Sequence, residues 1–136
     1  NQEKTRQDLQ QALGQIRAQV RIDDQKIVIG GFSSGGFGSL VALFGQTIPA
    51  RGFVLLCPDT PDLPAADVLR HLKKRHVRGT LLSSEFDPRL SQQKRFVSRM
   101  KDAGIPVRLV VSPNTGHWYP ENLSALIDQA LNGLNI

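Results

Sequence analysis

The chain has 136 residues, of which 40% are hydrophobic and 21% charged, enough for one domain with its own core and too few for two. Seventeen Lys and Arg against twelve Asp and Glu give a net charge of +5, and no run of eighteen apolar residues is present, which excludes a membrane-spanning helix. A single cysteine, Cys57, excludes an internal disulfide and leans towards a reducing, cytoplasmic compartment.

The segment from Thr5 to Val20 carries Leu9, Leu13, Ile16 and Val20 at spacings of four, three and four, which predicts an amphipathic helix with one buried stripe. A polar turn, Arg21 to Gln25, leads into an apolar strand from Lys26 to Gly30. Next comes Gly31-Phe32-Ser33-Ser34-Gly35-Gly36, with a helix expected from Gly36 to about Gly45. A second strand, Gly52 to Cys57, stops at Pro58. There, three prolines in seven residues form a rigid turn that cannot donate ladder hydrogen bonds. A helix from Ala65 to Lys74, a third strand from Gly79 to Ser84 and the turn Glu85-Phe86-Asp87-Pro88 follow. The helix from Ser91 to Ala103 is closed by Gly104. The fourth strand, Val107 to Val111, runs into the loop Ser112 to Pro120. The last helix, Glu121 to Leu134, is expected to bury Leu123, Leu126, Ile127, Ala130 and Leu131.

Short, continuously apolar strands alternating with amphipathic helices predict an α/β fold: one domain over residues 1–136, with a four-stranded parallel sheet covered by helices on both faces. In such a sheet the loops leaving the carboxyl ends of the strands gather on one edge, and ligands bind there. Three of those loops supply a serine, an acid and a histidine, the residue types of nucleophilic acyl transfer. Ser33 leaves the first strand, Asp87 the third and His117 the fourth.

Each residue type answers a chemical demand. A serine hydroxyl is a weak nucleophile until a base takes its proton, and His117 is the candidate base. The base needs a carboxylate on its other nitrogen to hold the tautomer and stabilise the imidazolium. Asp87 fits best, in a turn just beyond a strand, with Asp59 and Glu85 as rivals. His71 and His76 lie in the basic run Arg70 to Arg78, away from any strand's carboxyl end. Gly31, Ser33 and Gly35 fill the pattern G-x-S-x-G, a sharp strand-to-helix turn that exposes the serine. The N–H of Ser34 there becomes an oxyanion donor. Side chains at the outer two glycines are expected to collide with the neighbouring strand or the following helix. Phe32 and Trp118, with Phe37 and Tyr119 near them, are candidates for an apolar substrate wall.

Other chemistries find less support. The three histidines have neither ligand spacing nor cysteine partners in sequence, so no metal is expected. The glycine-rich turn lacks the lysine of a phosphate-binding loop, and no cofactor is expected. The basic run reads as a solvated helix face, without interleaved aromatics for nucleic acid. Cys57 reads as a small buried hydrophobe at a strand end.

Taken together, Gly31-Phe32-Ser33-Ser34-Gly35-Gly36, Glu85-Phe86-Asp87-Pro88 and the Pro113-Asn114-Thr115-Gly116-His117 loop resemble the later part of an α/β-hydrolase, most similar to the phospholipase/carboxylesterase and dienelactone hydrolase-like branch. The resemblance runs from about residue 26 to the end. It implies that Ser33, Asp87 and His117 form a triad that hydrolyses an ester or thioester through an acyl-enzyme. That branch commonly carries glutamine where this chain has Ser34. The resemblance also implies that the chain is the C-terminal half of the fold, with its first strand an open apolar edge. A preceding segment or a partner chain is then expected to complete the sheet and supply the second oxyanion donor. A non-catalytic binding or scaffold protein on the same architecture, and a serine peptidase, are the alternative functions.

Overall fold

Four apolar stretches pair, in chain order, into one parallel sheet. The computed structural model describes residues 1–136. It has helix α1 (Gln2–Gln19), strand β1 (Val28–Phe32), helix α2 (Ser34–Phe44), strand β2 (Gly52–Leu56) and helix α3 (Ala66–Lys74). Strand β3 (Arg78–Ser84), helix α4 (Leu90–Asp102), strand β4 (Val107–Ser112) and helix α5 (Leu123–Gly133) complete it. The spatial order is β1-β2-β3-β4. Phe32 is level with Leu56, Leu56 with Leu82, and Leu82 with Val110, so the carboxyl ends of all four strands meet at one edge.

The period of two along each strand divides the apolar residues between two faces. Phe53, Leu55, Leu81 and Val107 join Leu40, Leu43 and Phe44 of α2, Leu72 of α3, and Phe96, Val97 and Met100 of α4 in the larger core. Leu56, Cys57 and Leu82 turn to the opposite face, where α5 alone covers them with Ala130, Leu123, Leu126 and Ile127. The sheet is therefore covered on both faces, but unequally. Each wholly buried leucine of the larger core contributes roughly 1.5–3 kcal/mol, and Leu40, Leu55, Leu72 and Leu81 are all at 0% exposure.

Two helices differ from their expected burial. In α1 no residue is buried; Leu9 and Leu13 pack against the core, while Ile16 and Val20 are 51% and 56% exposed. The reason is placement, since α1 packs on α2 and not across the sheet, so half its apolar stripe has nothing to cover. In α5 only Ala130 is buried and Leu131 is exposed, because the helix faces a sheet that ends at β1. Element bounds shift by up to three residues, α1 starting at Gln2 and not at Thr5. The shift that bears on function is at the turn: β1 runs on to Phe32 and α2 begins at Ser34, not Gly36.

Candidate active site

Ser33 occupies the single residue between β1 and α2, with φ 55° and ψ −118°. A positive φ is costly for a residue with a Cβ and persists only where surrounding bonds enforce it. They do so here from both sides. The Ser33 N–H continues the ladder to the Leu56 carbonyl at 3.0 Å, and its carbonyl accepts from the N–H groups of Phe37 and Asp59, each at 3.2 Å. Behind the turn, the buried Ser39 hydroxyl bonds the carbonyls of Gly30 at 3.0 Å and Gly35 at 2.9 Å, tying α2 to β1.

The glycine requirement is real, but its positions differ from the sequence expectation. A Cβ on Gly31 would lie 2.4 Å from the Gly35 backbone, so the strand could not pass the helix start. One on Gly35 would meet nothing within 4 Å. The second crowded position is Gly36, where a Cβ would come within 2.6 Å of Pro58 Cβ. The helix start is thus packed between β1 and the loop after β2.

Asp87 is reached through the turn that closes β3. Its side chain is at 0% exposure, and its Oδ1 accepts the Arg89 N–H at 2.8 Å. His117 comes from the loop after β4, 30 positions later, and its Nδ1 lies 2.9 Å from Asp87 Oδ2. The other ring nitrogen, Nε2, lies 2.9 Å from Ser33 Oγ. An ionised carboxylate only accepts, so the proton sits on Nδ1 and Nε2 is left to accept from the Ser33 hydroxyl. The structure thus brings Ser33, His117 and Asp87 into one hydrogen-bonded line. Burial, the largest single influence on Asp87, works against its ionisation. The hydrogen bonds from His117, the Arg89 N–H and Cys57, together with the His117 charge, outweigh it and hold the carboxyl below its ordinary value.

The rival acids are committed elsewhere. Asp59 forms an ion pair with the Arg89 side chain. Glu85 Oε1 accepts the Asn114 N–H at 3.0 Å, joining the loop after β3 to the loop that carries His117. His71 and His76 are exposed on and just after α3. The helix α2 starts at Ser34, so the N–H groups of its first turn have no intrahelical acceptor, and Ser33 makes no side-chain cap with them.

Cys57 is the residue whose place the sequence did not reveal. It is at 0% exposure, with a φ of 43°, and its Sγ lies 3.4 Å from Ser84 Oγ. Its sulfur, a carboxylate oxygen of Asp87 and a ring nitrogen of His117 all lie within 4.8 Å of one another, so His117 does have a cysteine neighbour in space. As a metal site the cluster fits poorly. Burial, helped by the Asp87 charge, pushes the thiol up to about 11, and a thiolate is what binds metal. The Asp87 and His117 atoms that would serve as ligands are already hydrogen-bonded to each other. The sulfur's nearness to the histidine could be found only by knowing which strand ends are neighbours.

The aromatic candidates group around His117. The Phe32 ring stacks on the imidazole, with centroids 5.2 Å apart and planes at 29°. Tyr119 lies 4.7 Å from Phe32, and Trp118 meets Phe32 edge-on at 6.2 Å. Trp118 is 64% exposed at the rim. Phe32 and Tyr119 also border an apolar groove of about 330 Å³ that runs along β1 towards Leu123, Ile127 and Leu131 of α5.

No protein-family model matches the sequence, and no curated protein matches it. Solved structures do. An uncharacterized protein from Bacillus cereus superposes with a TM-score of 0.84 at 24% identity, over 100% of this chain and 45% of its own. Esterase PE8 gives 0.71 at 18% identity, over 98% of this chain and 60% of its own. The Arabidopsis thaliana protein SOBER1 gives 0.73 at 14% identity, over 96% and 63%. The chain has the α/β-hydrolase fold. It spans between 45% and 63% of the length of these structures. No helix of the chain is long and apolar enough to cross a membrane.

Proposed function

We propose that the chain carries the nucleophile, base and acid of a serine hydrolase that cleaves a carboxylic ester or thioester through an acyl-enzyme. The observation that carries this reading is the 2.9 Å spacing on both sides of His117, to Asp87 and to Ser33, at the carboxyl edge of a parallel sheet. The likeness to a protein named as an esterase supports the ester as substrate.

In this mechanism Ser33 Oγ attacks the carbonyl carbon while its proton passes to His117 Nε2. Asp87 holds the opposite N–H and stabilises the imidazolium. The carbonyl oxygen becomes an oxyanion before the N–H of Ser34, at the positive end of α2. Collapse of the tetrahedral intermediate breaks the bond to the alcohol or thiol, which leaves with the proton from His117. Water then attacks the acyl-Ser33 ester by the same route, giving a proton to His117, which passes it to Ser33 Oγ as the acyl–oxygen bond breaks and the acid is released. Trp118, at the rim, contacts the apolar part of the substrate.

The same reading gives β1 a neighbour. The strand pairs only with β2, its face opens into the apolar groove, and Ile16 of α1 and Val20 just after it stand exposed. A further segment of sheet, from a longer protein containing this chain or from a partner chain, pairs with β1 and brings the second oxyanion donor to Ser33. Rapid hydrogen exchange at β1 in the 136-residue chain, slowed in the assembled protein, is the expected sign. Equal exchange in both would contradict it.

Fluorophosphonate labelling tests the hydrolase assignment. A single phosphonyl adduct on Ser33, found by peptide mass spectrometry and lost in Ser33→Ala, is expected. Absence of an adduct on the assembled protein would favour a binding or scaffold role on the same architecture.

A further inference from the structure

We propose that Phe32 is a positioning residue for His117: its ring lies against the imidazole, sets the tilt of that ring and favours the imidazolium that forms when Ser33 gives up its proton. This rests on the hydrolase reading above and assigns Phe32 a role different from a substrate wall.

The geometry leaves a task that the hydrogen bonds do not perform. The contacts at Nδ1 and Nε2 fix the imidazole at two points, to Asp87 and Ser33. Both bonds lie near the ring plane, and neither puts a contact on the face of the ring. A planar partner there limits how far the ring can tilt. Phe32 provides it, at 5.2 Å and 29°. Its own position is set, because it ends β1 level with Leu56 and packs on the smaller core with Leu56, Cys57 and Ala130. Tyr119 supports the same ring from the histidine's own loop at 4.7 Å.

Stacking also has an electrostatic consequence. The face of a phenyl ring is negative and attracts a cation above it. Neutral imidazole gains little from that field and imidazolium gains more, so the contact strengthens as the transition state forms. An interaction of this kind raises kcat and leaves KM unchanged. The other groups near His117 are Asp87 on Nδ1, Ser33 on Nε2 and the Cys57 thiol, whose sulfur lies within 4.8 Å of a ring nitrogen. Tyr119 lies two residues along, and Glu85 bonds the N–H of Asn114 in the same loop. None of these stacks on the ring face.

The discriminating experiment pairs Phe32→Leu with Phe32→Tyr. Loss of the aromatic face is expected to lower kcat for p-nitrophenyl acetate by about 3- to 30-fold with KM little changed. Phe32→Tyr, which keeps the face, restores kcat. A second readout needs no activity. In the wild-type protein the ring protons of His117 are displaced upfield by the Phe32 ring current, relative to those of exposed His71 and His76. In Phe32→Leu the displacement disappears. If the wild-type protons show no displacement, or if Phe32→Leu raises KM while kcat stays fixed, the proposal is wrong and Phe32 is a pocket wall. Should the protein hydrolyse no ester at all, the NMR result still decides whether the stack holds His117.

Discussion

The Nδ1 of His117 lies 2.9 Å from the Oδ2 of Asp87, and the ring is 27% exposed while the carboxylate is wholly shielded. A buried acceptor at that distance fixes which nitrogen keeps its proton. Asparagine at position 87 would present an amide of nearly the same shape that can donate to Nδ1 and so admit the wrong tautomer. Asp87→Asn is expected to lower kcat by about 10³–10⁴ while the fold persists. Circular dichroism checks the fold and ester hydrolysis the rate; a loss of less than tenfold would remove Asp87 from the mechanism.

The same carboxyl links folding to acid. Because its pKa is held below the ordinary value, the unfolded chain binds the proton first as the pH falls. The contribution of Asp87 is therefore fully present above the unfolded carboxyl pKa, about 3.9, and is lost as the pH drops through the folded value. Urea unfolding of wild type and Asp87→Asn at pH 6 and pH 3 measures this. The stability gap between them is expected to narrow towards pH 3, and a constant gap would contradict it.

Cys57 titrates in the opposite sense. Its thiol is pushed up to about 11 in the folded chain, whereas an unfolded thiol ionises near about 8.5. The folded state then binds more protons between those values, so stability is present below pH 8.5 and declines as the pH rises towards 11. Cys57→Ser removes that slope. Iodoacetamide should alkylate the folded protein only as fast as it unfolds, and labelling at the rate of a free thiol would show that the sulfur is accessible.

Much of this site could be read along the chain because each of Ser33, Asp87 and His117 follows an apolar strand. In a parallel sheet, strand ends share an edge, so order along the chain translated directly into proximity. Periodicity reports which face of an element is apolar and says nothing of what covers it. Hence the spacing of Leu9, Leu13, Ile16 and Val20 predicts one buried stripe, while the helix packs on α2 and leaves Ile16 and Val20 open. Gly36 rather than Gly35 meets Pro58 because that contact joins segments 22 positions apart in the chain. Cys57 close to His117 and Phe32 against its face are likewise products of packing between strand ends.

Trp118 stands at the rim, edge-on to Tyr119 with centroids 5.1 Å apart. If it holds the apolar part of a substrate, Trp118→Ala will flatten the preference across p-nitrophenyl esters from acetate to octanoate. The expected loss is about 2- to 10-fold in kcat/KM for the longer chains. An unchanged preference would make Trp118 a packing residue of its loop.

The most direct test concerns Ser33, which lies 2.9 Å from His117 Nε2 across 84 positions of sequence. Steady-state hydrolysis of p-nitrophenyl acetate by Ser33→Ala, in the assembled protein, is expected to fall by about 10⁴ or more in kcat with the fold intact. Activity within about tenfold of wild type would contradict the assignment of Ser33 as nucleophile.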